Sequence, residues 1–293
     1  MWHTIETGFG TLMSADPAFL AGALALYLIS MVAAGVRWLI VLRALGVGAT
    51  WQDAVLINAA GVFVNNTTPA SRLGGEASRV ALVQRRAGAS LADATLSVVC
   101  DRLTDIPPVA ALALATLPAV RAWPLLAAGV LAAAIGFTLF RVLRGRGRGT
   151  RVEPSTAWGA WWKRMSRSRH ALGPAVCCSM VIWAQDVARL WLVGAACGIP
   201  FSLPQVALLS IVGVIGGLAP TVGGLGVIEA GLFGTVLAFG VPAAPAAAVV
   251  ALERAISYGV GTAAGGGAMI YLGGQVLWTV SGSRSRATGS RLE

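Results

Sequence analysis

Pro69-Ala-Ser-Arg-Leu-Gly-Gly-Glu76 and Pro220-Thr-Val-Gly-Gly-Leu-Gly-Val-Ile-Glu229 follow one plan, in which a proline opens a glycine-rich turn that ends in an acid. Proline removes a backbone donor and disrupts a helix, while glycine allows tight turning and close approach, so each stretch reads as a break between helical segments. The surroundings repeat as well. Arg37 precedes Pro69 by 32 residues, and Arg189 precedes Pro220 by 31. Nine positions after each arginine stands a glycine-aliphatic pair, Gly46-Val47 and Gly198-Ile199. Beyond the turns, Asp101-Arg102 lies 25 residues after Glu76, and Glu253-Arg254 lies 24 after Glu229. With 37 glycines in the chain, any one landmark could arise by chance. Four landmarks in one order, several of them scarce charges, point to an internal repeat.

The rest of the chain places that repeat in a bilayer. Of 293 residues, 56% are hydrophobic and only 12% charged, against about a quarter charged in soluble domains. The charge-free stretches Ala18 to Val36, Ala122 to Phe140, Leu190 to Ile228, Ala230 to Leu252 and Ala255 to Ser283 each reach the roughly 17 to 25 residues a membrane span needs. The reading is an all-α, polytopic membrane protein. No Lys or Arg occurs in the first 36 residues, so Ala18 to Val36 is expected to be a retained helix rather than a cleaved signal. The net charge of +10 sits mainly in short segments between or after apolar runs, where it sets orientation and argues against nucleic-acid binding. Cys100, Cys177, Cys178, Cys197, His3 and His170 lack metal-ligand spacing, so neither a disulfide framework, a metal nor a cofactor is expected.

The connection from Arg141 to His170 carries nine Lys and Arg against one acid, Glu153, and is expected to be cytoplasmic, together with the Arg85-Arg86 turn and the C-terminal tail. The N-terminus is then outside. On this reading residues 18–120 form a first repeat, 121–141 an additional helix, 142–170 a basic loop, 171–280 a second repeat and 281–293 a basic tail. Trp158, Trp161, Trp162 and Met165 are spaced for a short helix anchored at the interface. The Arg37 helix runs inward and the Arg189 helix outward, which makes the repeat one of inverted topology. Trp51 to Ala87 and Ser202 to Val241 must each leave and re-enter the same side, as two full crossings or as a re-entrant hairpin. Inverted repeats with broken helices meeting near the midplane are an architecture of alternating-access transporters.

Non-helical backbone at membrane depth survives only when packed in protein or lining a wet cavity. The candidate substrate-binding residues are therefore Asn65, Asn66, Pro69, Arg72, Gly74, Gly75, Glu76 and Arg79 at the first break. At the second they are Pro220, Gly223, Gly224, Gly226 and Glu229. The helix N-termini just after Pro69 and Pro220 favour an anionic group such as a phosphate. Arg37, Asp101, Arg102, Asp105, Asp186, Arg189, Glu253 and Arg254 are the supporting charges. Ionisable groups at this depth cost at least ~2.5 to 3.5 kcal/mol each on insertion scales, so they pair or face a polar pathway. The competing reading of these charges is structural ion pairs that fix helix register.

The two quoted turns, taken with Asn65-Asn66 and Arg79, resemble the flippase-like transmembrane domain of lysylphosphatidylglycerol synthases and its stand-alone relatives, from about Leu20 to Gly274. Val222 departs from the resemblance, since many relatives have a proline before that Gly-Gly; Gly74-Gly75 lies within the pattern. The resemblance implies a bacterial or archaeal inner-membrane protein that moves a lipid, or a lipid-linked polar group, between leaflets. Lipid aminoacylation is not expected, because the synthase domain is not in this sequence. Membrane lipids with anionic head groups are the expected partners, and Glu76 and Glu229 either pair with arginines or carry a coupling proton. Two rivals stand beside the translocase: a membrane-embedded enzyme acting on a lipid phosphate, and a non-transporting scaffold. Oligomeric state leaves no trace in the sequence.

Overall fold

A computed structural model describes residues 10–69, 73–116 and 169–273. Arg72, the expected helix at 121–141, the basic connection up to residue 168 with its tryptophans, and the tail at 281–293 lie outside them. The described residues are helical throughout, without a strand.

Two long helices organise the fold. α1 (Pro17–Ala44) begins where Asp16 accepts from the Ala18 amide at 2.8 Å with proline in the first turn. It ends at Gly46, where φ is +80° and the Val47 amide reaches back to the Leu42 carbonyl at 3.0 Å. α6 (Arg169–Ala196) ends the same way: Gly198 has φ +72°, and the Ile199 amide bonds the Gly194 carbonyl at 2.9 Å. The Gly46-Val47 and Gly198-Ile199 landmarks are thus helix stops of the left-handed, glycine-dependent kind. Each helix has 28 residues, about 42 Å of rise, and both contain a segment long and apolar enough to cross a membrane. They pack antiparallel: Phe19 meets Trp191 edge-on with ring centroids 6.4 Å apart, Gly22 lies against Leu192, and Arg37 reaches Ser179.

After each stop comes a broken pair of shorter helices. α2 (Trp51–Thr67) starts on the Thr50 hydroxyl and is followed by α3 (Leu73–Ala87), whose Arg86 pairs with Asp53 at 2.8 Å across the open end of the hairpin. In the second half α7 (Leu203–Gly216) starts at Ser202, whose backbone amide bonds Gln205, and α8 (Val227–Ala238) follows a short 3-10 turn, Val222–Gly224. These four helices have 17, 15, 14 and 12 residues, a rise of about 18 to 26 Å, less than the ~30 Å of hydrocarbon. The charge-free run Leu190 to Ile228 is accordingly not one span. It holds the end of α6, all of α7 and the second break, because Gly198 and the glycines after Gly216 stop helices that composition alone would join.

Residues 91–115 likewise form two helices rather than one. α4 (Leu91–Leu103) stops at Thr104-Asp105, and α5 (Ile106–Ala115) restarts with prolines in its first turn, the one place where a missing amide costs nothing. Its counterpart α9 (Ala243–Arg254) passes directly into a π turn, Ala255–Val260, before helix resumes over 261–273. Apolar packing gathers into two buried clusters, each of which takes in a residue from the other half, Leu272 in the first and Ala23 in the second. Trp38, Leu42, Ile57, Val83, Val98 and Leu272 form one buried cluster, and Leu190, Val193, Val206, Leu209, Val236 and Val249 another.

Candidate functional site

The breaks position the charges. Gly75 approaches α2 so closely that a Cβ there would meet the Gly61 carbonyl and the Asn65 amide, and the Gly75 amide itself donates to Asn65 Oδ1 at 2.7 Å. This contact lays Arg79 across Gly61 and buries it over the Trp38 ring, 4.3 Å from the centroid. From there its guanidinium donates to Asp101 at 2.8 Å and Glu76 at 3.0 Å. Asp101, fully buried, also accepts from Arg37 Nε at 2.8 Å, and Glu76 accepts from Arg102 Nε at 2.8 Å. Arg37 extends further, to Asp105 and to the Ser179 hydroxyl of α6. The stop at Thr104-Asp105 swings Asp105 out of the line of α4, where Arg102 (3.3 Å) and Trp183 Nε1 (3.1 Å) also donate to it.

The second half holds a parallel set. Arg189 Nη1 donates to Glu253 at 2.9 Å, and its Nη2 to Asp186 at 2.8 Å. Arg254 Nε donates to Glu229 at 2.7 Å, and its Nη2 to the Gly223 carbonyl at 3.2 Å. Arg37–Asp101 and Arg189–Glu253 both span 64 residues. Glu76–Arg102 and Glu229–Arg254 span 26 and 25. Contacts between the halves match as well: Ser179 of α6 meets Arg37 and Asp105, and Tyr27 of α1 lies under Arg189 and donates to the Ser257 carbonyl at 2.7 Å.

Where α1 crosses α6, both sets face one cavity of about 370 Å³. Arg37, Arg102 and Asp105 line it from the first half, and Asp186, Arg189, Glu253 and Arg254 from the second. Glu76 and Glu229 stand behind the wall, each holding one of its arginines. Arg102 is the most accessible of these cations, with 41% of its side chain exposed. The chemistry on offer is multivalent guanidinium donation, which fits phosphate or carboxylate oxygens.

The two turns are neighbours. Gly223, at φ +58°, lies so close to Asn66 that a Cβ would stand 3.1 Å from its Cα, and the Arg254-bearing helix closes the contact through Tyr258. One amide at each expected anion-binding N-terminus already has an acceptor: Gly75 binds Asn65, and Gly226 binds Glu229 Oε2 at 2.6 Å. An anion at those amides would have to displace a side chain, so the accessible donors are the arginines. Pro69, Gly74, Pro220 and Gly224 shape the turns without a hydrogen-bonding side chain to offer.

Several contributors escape a search for charges. Tyr27, Ser179, Trp183, Ser210 and Ser257 complete the network with neutral donors and acceptors. Tyr27 on α1, and Ser179 and Trp183 on α6, were signalled only by their helical spacing from Arg37 and Arg189, whereas Ser210 and Ser257 lie on other elements and carried no such signal. Among the described residues no group of three His, Cys, Asp or Glu converges as metal ligands.

Comparison with known proteins finds relatives among membrane proteins. A UPF0104 membrane protein of Methanothermobacter thermautotrophicus is 26% identical across 90% of this chain and 88% of its own length. A UPF0104 membrane protein of Pyrococcus horikoshii is 24% identical across 90% of each. A third, from Methanocaldococcus jannaschii, is 30% identical over a shorter stretch, 32% of this chain. The family model for the lysylphosphatidylglycerol synthase TM region matches residues 9–265. This helical chain is therefore membrane-embedded and belongs to the family of the lysylphosphatidylglycerol synthase transmembrane region.

Proposed function

We propose that the protein is a lipid translocase that moves an anionic lipid, or a lipid-linked phosphate, between leaflets by alternating access. The observation that carries this reading is one cavity reached by four arginines, two from each half of the chain. Its volume, about 370 Å³, falls in the range of small-molecule sites and suits a phosphate-bearing head group while the lipid tails stay in the bilayer. Arg102 makes the first contact, because it is exposed and shared among three carboxylates at 2.8, 3.3 and 3.7 Å.

The antiparallel pairing of α1 with α6 and the matched ion pairs support an inverted-topology repeat, in which one half exchanges roles with the other as the cavity opens to opposite faces. The short α2–α3 and α7–α8 pairs act as re-entrant hairpins, their polar backbone satisfied inside the protein. The basic connection and tail are cytoplasmic and the N-terminus outside.

The test is reconstitution into vesicles with fluorescent phosphatidylglycerol or a labelled polyprenyl phosphate in one leaflet. Protein-dependent loss of protection from an impermeant quencher is the expected result. A panel of anionic lipids that stays in place overturns the reading, and appearance of a chemically altered lipid assigns the site to catalysis instead.

A further inference from the structure

Four charges of each set are matched, and the charges added to them are not. A shift of 152 residues carries Arg37 onto Arg189, Asp101 onto Glu253 and Arg102 onto Arg254. Glu76 and Glu229 complete a neutral quartet in each half. The first half adds Arg79 and Asp105, which balance one another. The second half adds Asp186 with no further cation among the described residues, so that it shares Arg189 with Glu253; the same shift places Asp186 opposite Ala34. Among the described residues the network thus holds five arginines and six carboxylates.

Geometry puts the surplus on the cavity wall. Arg189 is shared between Glu253 and Asp186. Glu253 is buried and also accepts from the Ser257 hydroxyl at 2.8 Å. Asp186 keeps 32% of its side chain exposed, lines the cavity, and takes the Ser210 hydroxyl on its other oxygen. The charged and titratable groups facing the same space are Tyr27 and Arg37 from α1, and Arg102 and Asp105 from α4 and the stop after it. α6 itself adds Arg189, and α9 adds Glu253 and Arg254. α7 and α8 present Ser210, Ile228 and Leu232 there, and α2 presents Asn58 and Val62.

We propose that Asp186 carries a proton that crosses the membrane together with the anionic head group, an inference that rests on the translocase reading. The step is a protonation without redox change: a hydronium in the cavity gives its proton to a carboxylate oxygen of Asp186, leaving water and a neutral carboxyl. Arg189 Nη2 then loses the charge of its partner and turns to the head-group phosphate. Proton and anion enter together, and the loaded cavity keeps the charge balance that a low-dielectric surround demands. Release of the anion returns Arg189 to Asp186 and expels the proton on the other side.

Two measurements on the full-length protein test this. In nanodiscs of phosphatidylcholine without anionic lipid, infrared difference spectra across a pH titration are expected to show a protonated-carboxyl band that is missing in Asp186→Asn. A band of equal size in both proteins overturns the assignment. If Asp186→Asn fails to fold, Ser210→Ala serves: it is expected to move the midpoint of the band, and an unmoved midpoint overturns the assignment. In vesicles containing labelled phosphatidylglycerol, a pH gradient is expected to change wild-type transport about tenfold, with no such response in Asp186→Asn. Wild-type transport that ignores the proton gradient, or follows sodium instead, overturns proton coupling and leaves translocation standing. Absence of any lipid movement overturns translocation itself, and the infrared titration then decides the protonation alone.

Discussion

The Tyr258 hydroxyl donates to the backbone carbonyl of Asn66 at 3.0 Å, joining residues 192 apart in sequence. The Asn66 side chain returns the contact by donating to Thr262 Oγ1 at 2.9 Å. The first break is thereby tied to the helix that carries Glu253 and Arg254. Tyr258→Phe keeps the ring beneath Arg254, 4.9 Å from its centroid, and removes only the hydroxyl. The loss of one partly buried hydrogen bond costs about 1 kcal/mol, or a fall in Tm of roughly 2 to 4 °C. Thermal unfolding in detergent measures it, and an unchanged Tm would show that the tie carries no stability.

Gly75→Ala forces a methyl group into the Asn65 amide and the Gly61 carbonyl. α2 and α3 must separate, and Arg79 loses its place between them. We expect a loss of at least about 2 kcal/mol, as for overpacked cores. Gly234→Ala is the control: no atom lies within 4 Å of its added Cβ, so the better helix former is neutral or stabilising by up to about 1 kcal/mol.

Arg189→Met strands Glu253 and Asp186 without their cation. Breaking a buried pair from one side costs about 3 to 5 kcal/mol. Adding Glu253→Gln recovers part of that loss, and a double-mutant cycle on unfolding free energies reads the coupling. Strict additivity of the two substitutions would exclude a direct pair.

Arg102 and Arg37 separate binding from architecture. Arg37 is buried against two carboxylates, whereas Arg102 is 41% exposed. Arg102→Ala is expected to abolish lipid movement in vesicles while unfolding changes by no more than about 1 kcal/mol. Arg37→Ala should lower expression and stability first. Equal damage from both would favour register-fixing ion pairs over a binding role.

Glu76→Gln keeps one carbonyl acceptor but sets an amide against the guanidiniums of Arg79 and Arg102. We expect folded, membrane-inserted protein that no longer moves lipid, because Arg102 loses the partner that aims it. Size-exclusion chromatography reports the fold and the quencher assay the activity. Retained transport would place Glu76 outside the working site.

Scarcity made much of this site readable in advance. Charges at Arg37, Asp101, Arg189 and Glu253 have few places to go within apolar helices, and each finds the partner that its spacing allows. The helix stops at Gly46 and Gly198 were equally visible, though only as recurring pairs. The stop at Thr104-Asp105 went unread because Pro107 and Pro108 suit a helix start as well as they disrupt a helix interior. Neutral partners such as Ser210 and Ser257 left no mark, since a hydroxyl can satisfy itself on its own helix and betrays a tertiary role only through geometry. The cavity wall differs from the motif residues for the same reason: sequence shows where backbone must bend, and packing decides which side chains the bend exposes.

The π turn at Ala255–Val260 absorbs a surplus residue. On ideal geometry, regular winding would carry Thr262 about 80° around the axis from Arg254, and taking up one residue in the turn reduces the offset to about 20°. The inward stripe of the helix therefore runs on unbroken, from the guanidinium at Arg254 to the hydroxyl that receives Asn66. What the surplus contributes is acceptor capacity: the Ser257 carbonyl receives the Tyr27 hydroxyl at 2.7 Å, and the Tyr258 carbonyl receives the Thr262 hydroxyl at 2.6 Å. Deleting that single residue would restore ordinary winding and preserve the stripe, while leaving Tyr27 with nothing to hold.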